Sequence, residues 1–263
     1  MKTLVMKFGG AAVATPEHFS RIAALIESRM AHYQRIAVVV SAMGDTTNQL
    51  IALAKQVNPD PPRREYDMLV TVGERVSSSL LAMALAAREL MAISFTGSQA
   101  GIITCGRHTD ARIVDVRPSR ILPYLEAGKI IVVAGFQGVS RDGEITTLGR
   151  GGSDTTAVAL GVALGAEKVE FFKDVPGIFA EDPKRNPEAA FLDRMTYEGA
   201  WQLAVNGAKV LHARCIKLAG KNGVPLHVRS FYGETTDSGA GTVITQQDRP
   251  RSLIPLYEDV EHD

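Results

Sequence analysis

Apolar residues follow two rhythms along this chain. Short unbroken or alternating runs give way, again and again, to longer stretches with helical spacing. Runs of the first kind at 4–8, 36–41, 93–96, 130–136, 169–173 and 226–229 predict strands. The stretches between them predict helices, the longest from about 65 to 90. The first helix starts at Thr15 and Pro16, a cap followed by a preset first residue, and carries Phe19, Ile22, Ala23, Ile26 and Met30 on one face. A second such face, with Tyr197, Trp201, Leu203 and Ala204, falls on 196–206. Strands that alternate with helices imply a mostly parallel sheet covered on both faces, an α/β architecture. The proline-rich run at 58–63 marks a loop, and Arg141-Asp142-Gly143 a hairpin turn. No internal repeat interrupts the pattern.

Two junctions in this pattern are suited to anions. At 148–154 the chain reads L-G-R-G-G-S-D, between a short alternating strand (144–147) and a helix at 155–164. Glycines let the backbone approach a ligand, free amides at a helix start favour negative charge, and Arg150 adds a planar fork for a carboxylate or phosphate. Read alone, the motif is equally well a tight turn capped by Ser153 and Asp154. The second junction is Lys7-Phe8-Gly9-Gly10, where a buried strand ends in a lysine beside two glycines, with a helix beyond. Its lysine precedes the glycines, the reverse of a Walker A loop, and no G-x-x-x-x-G-K-[ST] occurs. The dinucleotide fingerprint fails as well, because Asp154 stands where its third glycine belongs.

Composition narrows the class. At 263 residues and 45% hydrophobic, the chain can build one large α/β core or two closely packed lobes. Its formal net charge is zero, which gives no basic field for nucleic acid. Its uninterrupted apolar runs are too short to span a bilayer, and Met1-Lys2 leads into a strand without a leader pattern. A soluble, cytoplasmic protein with no membrane partner is expected. Cys105 and Cys215 are too few for a disulfide framework, and the six histidines show no zinc-binding pairing, so no metal ligands are assigned.

The ordered set of motifs resembles aspartate kinase. Lys7-Phe8-Gly9-Gly10, Ser41-Ala42-Met43-Gly44 with Thr47-Asn48, Gly73-Glu74 and the G-S-Q-A-G at 97–101 carry the resemblance through the first half. L-G-R-G-G-S-D, Asp174-Val175-x-Gly177 with Asp182-Pro183, and G-A-K-V-L-H at 207–212 carry it onward, over about 2–244. The resemblance implies the amino-acid-kinase (carbamate-kinase-like) fold, a three-layer α/β/α sandwich with a mostly parallel central sheet. It implies a catalytic domain at 1–245, with an aspartate lobe at about 1–150 and an ATP lobe at about 151–245, and a tail at 246–263. The implied reaction moves the γ-phosphoryl group of ATP to the side-chain carboxylate of L-aspartate, with Mg2+ accompanying the nucleotide and a homodimer as the assembly. In this scheme Lys7 and Lys209 meet the phosphates and Asp154 holds both. Glu74 takes the substrate ammonium, Arg150 clamps the α-carboxylate, and Ser41, Ala42, Thr47 and Ser153 line the amino-acid pocket. Gly9, Gly10, Lys173, Asp174, Phe179 and Lys184 fall on nucleotide-contacting positions. A carboxylate is already ionised at neutral pH, so the reaction needs charge neutralisation rather than a general base, and no Ser/His/Asp set is present.

The chain departs from the family in several places. Ala11-Ala12 replace a Thr-Ser pair, Lys173 stands for a Thr or Ser, Thr109-Asp110 for Gly-Asn, and Ala213 for a proline. Aspartate kinases usually continue past a Gly-Thr-x-Ile segment into two regulatory ACT domains. Here the stretch after Gly241-Thr242-Val243-Ile244 is far shorter than the ~40 residues below which a domain rarely folds unaided. A catalytic domain without built-in feedback control is expected, its tail lying on the surface and fraying from Glu258. Two other readings stay open on the residues. One is a sister kinase for glutamate, N-acetylglutamate or a carbamate, which Glu74 disfavours for acylated substrates. The other is a non-catalytic nucleotide-binding subunit, motivated by Ala11-Ala12 and opposed by Lys7, Arg150, Asp154 and Lys209.

Overall fold

The structure is a computed structural model and describes residues 1–232, 240–246, 251–252 and 254–259. Strand β1 (Thr3–Phe8) is buried along its whole length, and the period of two sorts its side chains. Leu4, Met6 and Phe8 join the core beneath α1 (Pro16–Met30), with Phe19, Ile22, Ala23 and Ile26. Val5 joins the core on the opposite face, and Lys7 shares Val5's parity. Met30 lies outside that core, being 39% exposed. Thr15 occupies the cap position of α1, but its hydroxyl accepts no capping bond.

The chain continues through β2 (Arg35–Val40), α2 (Thr46–Val57), α3 (Arg63–Val70), α4 (Val72–Ala86) and β3 (Ala92–Phe95). Next come β4 (Ile102–Thr104), β5 (Ile113–Val116), α5 (Leu122–Glu126), β6 (Ile130–Ala134), β7 (Gln137–Ser140) and β8 (Ile145–Thr147). The second half holds α6 (Gly152–Ala163), β9 (Lys168–Lys173), β10 (Ile178–Phe179), β11 (Phe191–Leu192) and β12 (Arg194–Met195). It closes with α7 (Tyr197–Val205), α8 (Ala213–Asn222), β13 (Leu226–Ser230) and β14 (Thr242–Ile244).

One eight-stranded sheet runs through both halves in the order β12-β14-β13-β9-β1-β2-β6-β3. All its pairings are parallel except β13 with β14. Helices α1 and α4 cover one face, and α6 with α8 covers the other, which is the expected α/β/α sandwich. Of a second sheet, β5-β4-β7-β8, the sequence pattern showed only β8, at 144–147, because its strands have only three or four residues each. The turn at Arg141-Asp142-Gly143 does join an antiparallel pair, β7 and β8.

The long helix expected at 65–90 is two helices that meet at Thr71. The Thr71 carbonyl accepts the Gln137 side-chain amide at 3.0 Å, and Gly73 comes one residue into α4. By length and composition Arg63–Ala86 is apolar enough to cross a membrane. Here one side of it packs into the core, with Leu81 and Leu85 in the cluster beneath α1 and the carboxylates of Asp67 and Glu74 buried, while Val72, Val76 and Met83 are exposed. On α7 the fully buried residues are Tyr197 and Ala200, while Trp201, Leu203 and Ala204 are half-buried against the same core.

Candidate active site

Parallel strands end their carboxyl edges on one side of a sheet, and ligands of open α/β sheets gather there. β1, β2 and β9 all do so, which brings the end of β1 beside the first turn of α6. Lys7 pairs in register with Phe171 of β9, so Phe171 and Lys173, two residues on, share the face that Lys7 uses. Both ammonium groups therefore reach one carboxylate. Lys7 Nζ lies 2.6 Å from Asp154 Oδ1, and Lys173 Nζ lies 2.9 Å from Asp154 Oδ2. All three side chains are largely buried, at 5%, 15% and 7% exposure for Lys7, Lys173 and Asp154. Burial alone pushes the Asp154 carboxyl up, but the Lys173 and Lys7 charges outweigh it and hold it at about 2. Asp154 is thus a fixed anion with two cations, a cluster with one positive charge to spare.

This corrects the expectation that Asp154 holds Lys7 and Lys209. Among the described residues the second cation on Asp154 is Lys173, and Lys209 is exposed on the link between α7 and α8. Sequence distance concealed this pairing. The signal was the shared two-residue rhythm of Val5-Met6-Lys7 and Phe171-Phe172-Lys173 in neighbouring strands.

The start of α6 supplies donors rather than a side-chain cap. Gly151 sits at the cap position with φ 70°, and neither Ser153 nor Asp154 caps the helix as the turn reading required. A Cβ at Gly151 would come within 2.3 Å of His212, so this backbone needs glycine on both counts. The amides of Ser153 and Asp154 find no acceptor among the described residues and face the cleft beside Lys7, an arrangement that favours an anion.

The cleft itself encloses about 1290 Å³. Ser41, Ala42, Thr47, Glu74, Arg150 and Ser153 line it together with Lys7, Gly10 and Asp154. Glu74 reaches it because Gly73 lets α4 approach the loop after β2. A Cβ on Gly73 would meet Ala42 Cβ at 2.7 Å. In return the Ala42 amide donates to Glu74 Oε1 at 3.1 Å, while Glu74 Oε2 is buried with no partner among the described residues. Burial raises the Glu74 carboxyl to about 7, against the opposing pull of the Ala42 amide and Lys7. The folded state therefore holds this proton more tightly than the unfolded chain does. Its contribution to stability is complete below the ordinary carboxylate range and is lost as pH rises through about 7. Arg150 is exposed at the cleft mouth, its guanidinium without a partner among the described residues.

The other assigned residues lie outside the cleft lining. Gly9 heads the short turn behind Lys7, its carbonyl accepting from Ala12 at 2.9 Å. Asp174 and Lys184 are exposed in the segments that flank β10. Phe179, half-buried on β10, rests edge-to-face on Phe191 with centroids 5.3 Å apart. Among the described residues no cluster of His, Cys, Asp or Glu is placed to hold a metal ion.

Sequence reasoning missed the residues that hold the cleft walls. Asp67 of α3, fully buried, accepts from Thr147 Oγ1 at 2.6 Å, from the amides of Thr147 and Thr109 at 3.1 and 3.0 Å, and meets His108 Nδ1 at 2.8 Å. It ties α3 to β8 and to the turn at 108–110. Thr109 in that turn has φ 72°, a left-handed conformation that a β-branched residue rarely adopts. Such geometry suits the glycine that the family resemblance expects at 109.

A buried lysine pair on one carboxylate, a glycine-bounded helix start and an open cleft thus meet at the carboxyl ends of the parallel strands. Residues 2–230 match the amino acid kinase family, and the chain belongs to that family. It is 48% identical over 265 residues to the aspartokinase of Mycobacterium tuberculosis H37Rv, and 46% over 266 residues to that of Thermus thermophilus. Those matches take in 100% of this chain but only 62% and 64% of the relatives' own lengths. Among solved structures, aspartate kinase from Synechocystis aligns with a TM-score of 0.81 at 42% identity, covering 94% of this chain and 40% of that one. E. coli aspartokinase III, solved in complex with aspartate and ADP, aligns at 0.83 with 28% identity over 94% of this chain and 65% of that one.

Proposed function

We propose that this chain transfers the γ-phosphoryl group of ATP to the side-chain carboxylate of L-aspartate, giving 4-phospho-L-aspartate and ADP. The observation that carries the reading is Glu74 Oε2, a buried carboxylate oxygen with no partner among the described residues, lining the same cleft as Lys7 and Asp154. A phosphate site alone has no use for such an oxygen, whereas an α-ammonium group would satisfy it. The relatives support the same substrate pair.

In this mechanism a carboxylate oxygen of aspartate attacks the γ-phosphorus, the bond to the β–γ bridging oxygen breaks, and ADP leaves with that electron pair. The attacking group is already ionised, so no proton is removed. Lys7 sits against the migrating group, and the surplus positive charge of the Lys7–Asp154–Lys173 cluster offsets charge on the phosphoryl oxygens. Arg150 makes the two-pronged contact to the α-carboxylate, and Ser41, Ala42, Thr47 and Ser153 complete the amino-acid pocket. Asp174, Phe179 and Lys184 flank the nucleotide, with Lys209 at its rim. Magnesium bound with the nucleotide would offset negative charge on its phosphate oxygens, beside Lys7 and Lys173.

Release of ADP, measured across a panel of acids, tests the substrate class. Aspartate should support turnover, and N-acetylaspartate should do so at least about a hundredfold less well, because it leaves the buried Glu74 oxygen unpaired. Equal use of both would overturn the role of Glu74 and the proposal with it.

Two further outcomes are expected. The kcat/KM for aspartate falls as pH drops below about 7, where Glu74 takes up its proton in the free protein. Glu74→Gln should lower kcat/KM and flatten that acid limb. An unchanged limb in the variant would assign the titration to another group. Arg150→Lys should raise KM for aspartate at least about tenfold with little change in KM for ATP, since an ammonium cannot make the two-pronged contact. Equal shifts for both substrates would remove Arg150 from the amino-acid pocket.

A further inference from the structure

Fraying was expected from Glu258 onward, yet Glu258 itself is tied down, at the end of a segment that is held from Leu256 on. Asn222, at the end of α8, brackets Leu256, its Oδ1 accepting the Leu256 amide at 2.8 Å and its Nδ2 donating to the Leu256 carbonyl at 2.7 Å. Tyr257 packs against the main core. Glu258 is then laid along β5. Its amide donates to the Ile113 carbonyl at 3.0 Å, and its Oε2 accepts the Ile113 amide at 2.9 Å.

The same Glu258 carboxylate grips Arg214 from two sides, with Nε to Oε1 at 2.7 Å and Nη2 to Oε2 at 2.9 Å. The pair is well shielded, at 16% and 11% exposure. Arg214 stands in the first turn of α8, on the wall between the active-site cleft and a separate cavity of about 480 Å³ beneath the tail. Its remaining donors point toward the cleft. Nη2 bonds the Ala111 carbonyl at 2.9 Å, and Nη1 bonds both Asp110 Oδ1 at 3.2 Å and the Leu148 carbonyl. Leu148 immediately precedes Gly149 and Arg150. A guanidinium has five donors in one rigid plane, so a carboxylate fixing one edge orients the other.

We propose that Glu258 is a positioning residue for the amino-acid pocket: it fixes Arg214, and Arg214 holds the Leu148 carbonyl from which the 149–151 turn and Arg150 extend. The inference rests on the proposed aspartate kinase function, because the pocket it serves is the one assigned there. Arg150 follows Leu148 by two residues, so loss of the grip on Arg214 should be felt first at the proposed α-carboxylate contact, which makes the role testable.

Glu258→Gln keeps the shape and removes the charge that grips Arg214. It should raise KM for aspartate about tenfold, the scale of losing one charge-assisted contact, with kcat and KM for ATP within about twofold. Asp259→Asn, which removes the neighbouring exposed pair with Lys221, should change neither. Combined with Arg150→Lys, Glu258→Gln should add little further, because both act through one contact. Arg214→Lys, a second route to the same loss, should reproduce the aspartate-only shift if Glu258→Gln fails to fold. Unchanged aspartate KM in a folded Glu258→Gln variant, equal shifts for ATP, or fully multiplicative effects with Arg150→Lys would each overturn the positioning role. Wild-type protein that phosphorylates no aspartate would overturn the functional reading as well, which separates the two failures.

Discussion

Lys7→Ala should lower kcat by at least about a hundredfold while both KM values move far less. Lys7 is held 2.6 Å from Asp154 beside the start of α6, where its charge is fixed before the phosphoryl group arrives. A preorganised donor of this kind stabilises developing charge more than it stabilises either bound substrate, and loss of one such donor costs about 10²–10³ in rate. Stability should change little. The variant leaves Asp154 paired with Lys173, and it removes an ammonium whose burial already lowers its proton affinity. Normal turnover would leave charge neutralisation to Lys173 alone. A collapse in melting temperature would mean that Lys7 serves mainly to hold the sheet to α6.

Asp154→Asn should be strongly destabilising. It takes the one anion from between two buried cations, and breaking a buried pair of this kind costs about 3–5 kcal/mol. For a chain of this size that corresponds to a fall in melting temperature on the order of 10 °C. The sign of its pH dependence is distinctive. Burial already makes Lys7 hold its proton less tightly than an ordinary lysine, and the Asp154 carboxylate opposes that shift, so without Asp154 the proton is held less tightly still. The variant's deficit against wild type should therefore shrink as pH rises into the range where the Lys7 ammonium loses its proton. Melting curves at neutral and alkaline pH measure this, and a deficit that does not change with pH would show that Asp154 acts by packing rather than by charge.

The residues that announced themselves in the sequence were those with a local reason for their identity. Lys7 ends an apolar run, and the glycines at 149–152 are out of place in a helix start unless something approaches. Glu74 was legible through Gly73, an odd residue for a helix, and the structure gives the reason in the contact with Ala42 that a side chain at 73 would violate. What stayed hidden depended on register and on the third dimension. Lys173 joins Asp154 because β9 pairs with β1 so that Phe171 stands opposite Lys7, a fact no spacing along the chain records. Lys209 was assigned to Asp154 from a motif match, but it is exposed and makes no ion pair with that carboxylate, whose cations are Lys7 and Lys173. Asp67 and Arg214 escaped because each works through backbone groups far off in sequence, Asp67 on 109 and 147 and Arg214 on 111 and 148. Of the short strands of the second sheet, β8 alone showed its alternation, and β4, β5 and β7 lacked enough residues to show a period. The acidic tail read as solvent-facing because its partner, Arg214, lies 44 residues away.

If the cleft makes an acyl phosphate on the side chain of aspartate, hydroxylamine reports that product directly. Incubation of the wild-type protein with ATP, magnesium, L-aspartate and hydroxylamine should accumulate aspartyl β-hydroxamate together with an equal amount of ADP. In the same assay Lys7→Ala should give at most about a hundredth of that rate. Release of ADP without hydroxamate, or hydroxamate formed from another acid in preference to aspartate, would contradict the assignment.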